Sequence, residues 1–193
     1  MKSFPSLLLG FCLAASANLG LAQSVAQPDS FKSDILQFHG DQNTLVNALA
    51  ATEQATGGKV IDIRFSYPNS KPTYNSVVLK PGQVQFFKIE ELGHNAIELD
   101  ASSRPVWMLS WRGKADVHFA GQAAVSLTQA IRTAEQAGNG APAVAAGIAR
   151  SASNPDSDVH AYTVLLNVRG TVRSVSIDVT NGEVIADPSA LRY

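Results

Sequence analysis

The chain has 193 residues, of which 45% are hydrophobic and 16% charged, with a formal net charge of -1. The charged fraction lies below the roughly 25% usual for globular domains, and neither a polybasic nucleic-acid binder nor an acidic disordered tail has this balance. Enough apolar side chains remain for one or two compact cores, which excludes disorder throughout.

The first segment reads as a secretory signal peptide. Lys2 precedes the apolar run from Leu7 to Ala15, and small residues follow as far as Ala22. Gly20 and Ala22 suit the two small pockets of a signal peptidase, giving a mature start at Gln23, while Ala15-Ser16-Ala17 offers a second cut before Asn18. The run is shorter than the ~20 residues that span a bilayer, which disfavours a retained anchor. Phe11 is too large to precede a lipidated cysteine, so Cys12 is not a lipoprotein site. Loss of Lys2 with the leader leaves 14 basic and 16 acidic residues, a net charge of -2, and no cysteine. The expected product is a periplasmic or secreted protein without disulfide, thiol nucleophile or stable membrane insertion, and without the charge to hold nucleic acid.

Residues 23–32, rich in Gln, Ser, Pro and Asp, read as a flexible lead-in, and the folded part begins near Ser33. The most informative feature beyond it is an internal repeat, 44–58 on 126–140 without gaps. Leu45, Ala48, Glu53, Gln54, Ala55 and Gly58 meet Leu127, Ala130, Glu135, Gln136, Ala137 and Gly140. Each copy has the spacing of a short amphipathic helix: Leu127, Ala130, Ile131, Ala134 and Ala137 in one, Leu45, Ala48, Leu49 and Ala55 in the other. Ser126 with Gln129 forms a capping box and Gly138 a stop; Thr44 with Asn47, and Gly57-Gly58, are the weaker equivalents.

After each helix the period falls to two. Strands are expected over 60–65, 74–79, 84–89, 96–99 and 106–111, punctuated by Lys80-Pro81-Gly82, Leu92-Gly93 and Ser102-Ser103. In the second copy they fall over 143–148, 162–168, 172–179 and 184–185, with a loop at 151–158 and turns of positive φ at Arg169-Gly170 and Asn181-Gly182. Downstream, Tyr74 on Tyr162 aligns Gly82 with Gly170, whereas Asp100 on Asp178 aligns the following strands; both registers cannot hold. The fold class expected is α+β, two similar repeats, each one helix packed on an antiparallel meander.

Leu127-x-x-Ala130-Ile131, Glu135, the strand at Tyr162-Thr163-Val164-Leu165-Leu166 and the ending from Val175 through Asp178 and Gly182 to Ile185 together resemble the PepSY domain family. The resemblance covers 126–186, and the repeat extends it more faintly onto 44–111. It implies a first PepSY-like repeat over 33–112, a junction over 113–125 and a second repeat over 126–193. It also implies a non-enzymatic module that binds and restrains a peptidase; the alternative is an envelope regulatory or chaperone-like protein holding a non-peptidase partner. Ser102-Ser103-Arg104 stands where the first copy should carry the turn glycine. The motif is one of folding, since Asp178 can bond nearby amides and Gly182 tolerates left-handed backbone.

Chemistry is sparse. His39, His94, His118 and His160 are scattered singly, and His39-Gly40-Asp41 and Asp116-Val117-His118 are half sites for a metal at best. His118, alternating with Val117 and Phe119, fits a solvent-facing strand position. No Gly-x-Ser-x-Gly elbow occurs, the carboxylates are spread, and the glycine pairs follow helices, where they stop them rather than cradle phosphate. No enzyme activity, cofactor or metal is expected. In 106–111, Trp107, Leu109 and Trp111 would share one strand face and Val106 and Met108 the other. Burial is the plain account of both faces; Trp107 and Trp111 are also the candidate partner-binding residues, because tryptophan is enriched at interface hot spots.

Overall fold

The computed structural model of the protein describes residues 34–38, 44–68, 71–91, 97–150 and 160–186. The leader and lead-in expected over 1–32, the turn at Leu92-Gly93, the loop at 151–158, His39 and His94 lie outside them. The helices are α1 (Leu45–Thr56), α2 (Trp111–Gln122) and α3 (Leu127–Ala137). The strands are β1 (Lys59–Ser66), β2 (Thr73–Lys80), β3 (Gln83–Glu91), β4 (Ile97–Pro105), β5 (Ala143–Arg150), β6 (His160–Val168), β7 (Thr171–Asp178) and β8 (Val184–Ala186). They make one antiparallel sheet in the order β4-β3-β2-β1-β5-β6-β7-β8. The fold is therefore α+β, with α1 and α3 each leading into a run of four strands.

The two runs meet between β1 and β5, where only Asp62↔Gly147, Ile63↔Ala146 and Arg64↔Ala145 pair. Residues directly opposite one another share a face of the sheet. One face thus carries Ile63, Ser76, Ala146, Val164 and Val175, all buried, and Phe65, Tyr74, Ile148, Tyr162 and Ile177 extend it. α1 and α3 lie on this face. α1 buries Leu45, Leu49 and Thr52, and α3 buries Leu127, Ala130, Ile131 and Ala134, all in one core cluster. Each fully buried Leu or Ile here stabilises the fold by about 1.5–3 kcal/mol. Close approach constrains the helix ends: a Cβ on Gly138 would strike Leu166, and one on Gly58 would strike Val78.

Local signals explain the helix limits. Thr44 Oγ1 accepts from Asn47 N at 3.2 Å and Ser126 Oγ from Gln129 N at 3.1 Å. Gly57 ends α1 with φ of 64°. Gly138 ends α3 in ordinary backbone, φ -83°, and the left-handed conformation passes to Asn139 and Gly140. Of the turns, Arg169 and Gly170 both take positive φ, 53° and 81°, whereas at Asn181-Gly182 only the glycine does, at 78°. There Asp178 Oδ1 accepts from Thr180 N at 2.6 Å and Asn181 N at 3.3 Å, so the carboxylate is spent on holding its own turn. Tyr74 and Tyr162 both sit in the second strand of their runs, with Gly82 and Gly170 at the turn after each; Asp100 is in a fourth strand and Asp178 in a third.

Two elements differ from expectation. Ser102 and Ser103 are not a turn but part of β4, an edge strand where exposed polar side chains imitate loop composition. The strand expected over 106–111 does not form. β4 loses its neighbour where the turn at Pro81-Gly82 ends β3, and after Val106 N donates to Gly82 O the chain curls into a 3-10 turn over Val106–Met108. Ser110 then caps α2, its Oγ accepting from Gly113 N at 3.2 Å, so Trp111 opens a helix that runs through the expected junction. Gly113, Asp116, Val117 and Ala120 are its buried stripe, and His118 is exposed on a helix rather than a strand.

One device occurs twice. β1 and β5 each open with a bulge, between Val60 and Asp62 and between Ala143 and Ala145. At each bulge a helix glutamate supplies the acceptor: Glu53 Oε1 takes Val60 N at 3.0 Å, and Glu135 Oε1 takes Ala143 N at 2.9 Å. The two glutamates together make one of the six identities in the sequence repeat. Removing either carboxylate leaves an amide without a partner in a dry setting, which costs about 1–3 kcal/mol. Glu53→Ala and Glu135→Ala are expected to lower the unfolding free energy in urea titrations by that much, and the glutamine variants, which keep an acceptor, by less than half of it. Equal losses for alanine and glutamine would show that the contribution is packing or charge.

Candidate functional site

The face of the sheet away from α1 and α3 carries a second set of side chains. Asp62, Val77, Phe86, Gly147, Thr163 and Ser176 share it by register, with Arg64, Asn75, Ala145, Leu165 and Ser174 one step along. Arg64 and Asn75 are exposed, Asp62, Phe86, Thr163 and Leu165 are half-buried, and Val77, Ala145, Gly147 and Ser176 are buried. At its centre the Asp62 carboxyl lies over Gly147, because a Cβ on that glycine would strike Asp62 Oδ2. Burial pushes the Asp62 carboxyl up to about 6, against the lowering effect of Arg64. A carboxyl with that pKa exchanges a proton near pH 6.

Other titratable groups serve the fold. Tyr162 is buried, its hydroxyl donates to Val125 O at 2.9 Å, and its pKa is pushed up to about 12, first by burial and then by the charge of Glu53. Val125 N in turn donates to Val179 O at 3.1 Å, which fixes the approach to α3. Lys59 Nζ donates to Ala120 O at 2.6 Å and ties β1 to α2. Thr52 Oγ1 finds Ala48 O at 2.7 Å, whereas Ser76 Oγ, on the core face, has no hydrogen-bond partner among the described residues.

The candidate half site Asp116-Val117-His118 is split by the helix that carries it, with Asp116 buried and His118 exposed. Among the described residues no group of three or more His, Cys, Asp or Glu is placed to hold a metal. His160 lies in β6 opposite Arg150. No helix of the described residues is long and apolar enough to cross a membrane.

The structure separates the two tryptophans proposed as partner contacts. Trp107 is 72% exposed and its neighbour Met108 60%, both on the 3-10 turn that follows edge strand β4. Trp111 begins α2. The burial expected for both faces of 106–111 therefore fails at Trp107 and Met108, since among the described residues no opposing layer covers a 3-10 turn beyond the sheet. The turn itself is held: Val106 and Leu109 pack against the core, and Leu109 N donates to Val106 O at 3.1 Å. Beside it Arg104 lies over the Phe86 ring, 5.8 Å from the centroid. Sequence reasoning missed the Asp62 site because it comes from pairing β1 with β5, and the one local sign was a lone acid in an apolar strand.

Among solved structures, a presumptive lipoprotein from Clostridium difficile 630 is similar to this chain at 13% identity, over 76% of this chain and 94% of that one, with a TM-score of 0.43. No family model matches the chain, and no curated protein matches it.

Because its folded pKa is raised, Asp62 holds its proton more tightly in the native state than in the unfolded chain, and stability falls as pH rises from 3.8 to about 6. Asp62→Asn removes that fall. From about pH 4 to about pH 7 the variant is expected to gain roughly 1–3 kcal/mol on the wild type in urea unfolding, whereas parallel profiles would show an ordinary carboxylate. Gly147→Ala is expected to cost about 1–3 kcal/mol, and to cost much less in an Asp62→Ala background, where the methyl meets no carboxyl.

Proposed function

We propose that this chain is an exported, non-enzymatic binding module of two PepSY-like repeats, and that it binds and restrains a peptidase. The repeat reading is supported by the matching element order on either side of the β1–β5 pairing and by Glu53 and Glu135 meeting the same need in each half. Export rests on the apolar leader with its small-residue cleavage sites. The peptidase as partner rests on the family resemblance of 126–186.

The observation that carries a binding role is the exposure of Trp107 and Met108 on a turn anchored to the core. A large apolar side chain kept in water on a held backbone loses little freedom on docking, and tryptophan adds a donor at its edge. Trp107 is therefore the central contact and Met108, which adapts to its surroundings, the flanking one.

Titration of metallo- and serine peptidases with the protein tests the reading. One peptidase is expected to lose activity in proportion to added protein, with an end point at equal stoichiometry. Trp107→Ala is expected to weaken that inhibition by about 10-fold or more, the loss of roughly 2 kcal/mol typical of a hot spot, with the urea midpoint unchanged. Undiminished activity of every peptidase, with a receptor or unfolded clients retained instead, would replace this function with the regulatory or chaperone-like one.

A further inference from the structure

The outer edge of β4 has no neighbouring strand among the described residues, and its backbone polarity follows from one bond. Val106 N donates to Gly82 O, so alternation along the ladder turns the N–H and C=O groups of Arg104, Ser102, Asp100 and Glu98 toward β3. Those of Ser103, Ala101, Leu99 and Ile97 point outward, while Pro105 offers only its carbonyl. A strand added here must bond to these odd-numbered positions.

We propose that the occupant of this edge is a second copy of the same strand, antiparallel and centred on Ala101, so that two chains form one continuous sheet about a two-fold axis. Symmetry and charge select this register. Self-pairing centred on Ala101 is the alignment in which all nine residues of β4 overlap, outward groups meeting outward groups at Ala101↔Ala101 and Leu99↔Ser103. It sets position 98, a glutamate, of one copy opposite Arg104 of the other, twice, at non-hydrogen-bonded register positions. A centre on Asp100 opposes two carboxylates, and a centre on Ser102 shortens the ladder at both ends. Pro105 falls opposite Ile97 at the limit of the ladder, where its missing N–H costs least. Trp107 and Met108 then lie just past the end of the partner's β4, where exposed apolar surface loses water.

Sedimentation equilibrium of the full chain over about 1–100 µM is expected to show a monomer–dimer equilibrium, as a single strand pair gives an interface at the small end of the range. Arg104→Glu is expected to raise the dissociation constant by at least about tenfold, and Glu98→Arg with Arg104→Glu to restore it. Ser103→Pro, which removes an outward amide without touching the ladder to β3, should abolish the dimer and leave the urea midpoint in place. In a Cys12→Ser background, Ala101→Cys places a single thiol on the two-fold axis, and mild oxidation should yield a reducible dimer. A monomer throughout the range, a dimer indifferent to Ser103→Pro, or charge reversal without rescue by the double variant would overturn the proposal.

Discussion

Everything in this protein hangs on the seam between β1 and β5, where three residue pairs turn two four-stranded runs into a single sheet. So short a ladder contributes little by itself. Its effect is to bring Ile63 against Ala146, so that core residues from both runs form one apolar face, and α1 and α3 then bury that face together. The apolar area removed from water by this joint cover is what holds the seam shut, and the seam in turn makes the cover possible. At the seam Gly147, lacking a Cβ, leaves room for the Asp62 carboxyl.

Polar groups near the seam divide into those the fold satisfies and one it strains. The bulges at the start of β1 and β5 free an amide apiece, and Glu53 and Glu135 answer both from the helices above. Tyr162 links β6 to the residue before α3. Asp62 differs, because the close pairing that seats it also withdraws water from it, and the neighbouring Arg64 compensates only in part.

At the periphery the same sheet leaves unmet needs. β4 is an edge, its neighbour ends at a two-residue turn, and the chain leaves it as a short 3-10 turn carrying Trp107 and Met108 into solvent. Edge strands commonly protect themselves with charge and proline, and Arg104 and Pro105 fit that pattern at one end. Both the proposed peptidase contact and the proposed self-pairing use this corner of the molecule, so a dimer and a peptidase complex would compete for Trp107 and Met108.

Much of the fold was legible in the chain. The period-of-four stripes of α1 and α3, their Thr44 and Ser126 caps, and the period-of-two runs behind most strands are effects of neighbours in sequence, and short-range physics writes them locally. α2 was missed although Ser110 and the stripe Gly113, Asp116, Val117 and Ala120 were present, because glycine and charge on the stripe hide a helical period while alternating aromatics imitate a strand. The sequence by itself determined the helix and strand content, the caps and turns, and the repeated glutamates. Tertiary structure alone decided that β1 pairs with β5, that Asp62 loses water over Gly147, that β4 is an edge and that Trp107 stays in solvent. Each of these depends on which distant segment lies alongside, and no window of neighbouring residues holds that information.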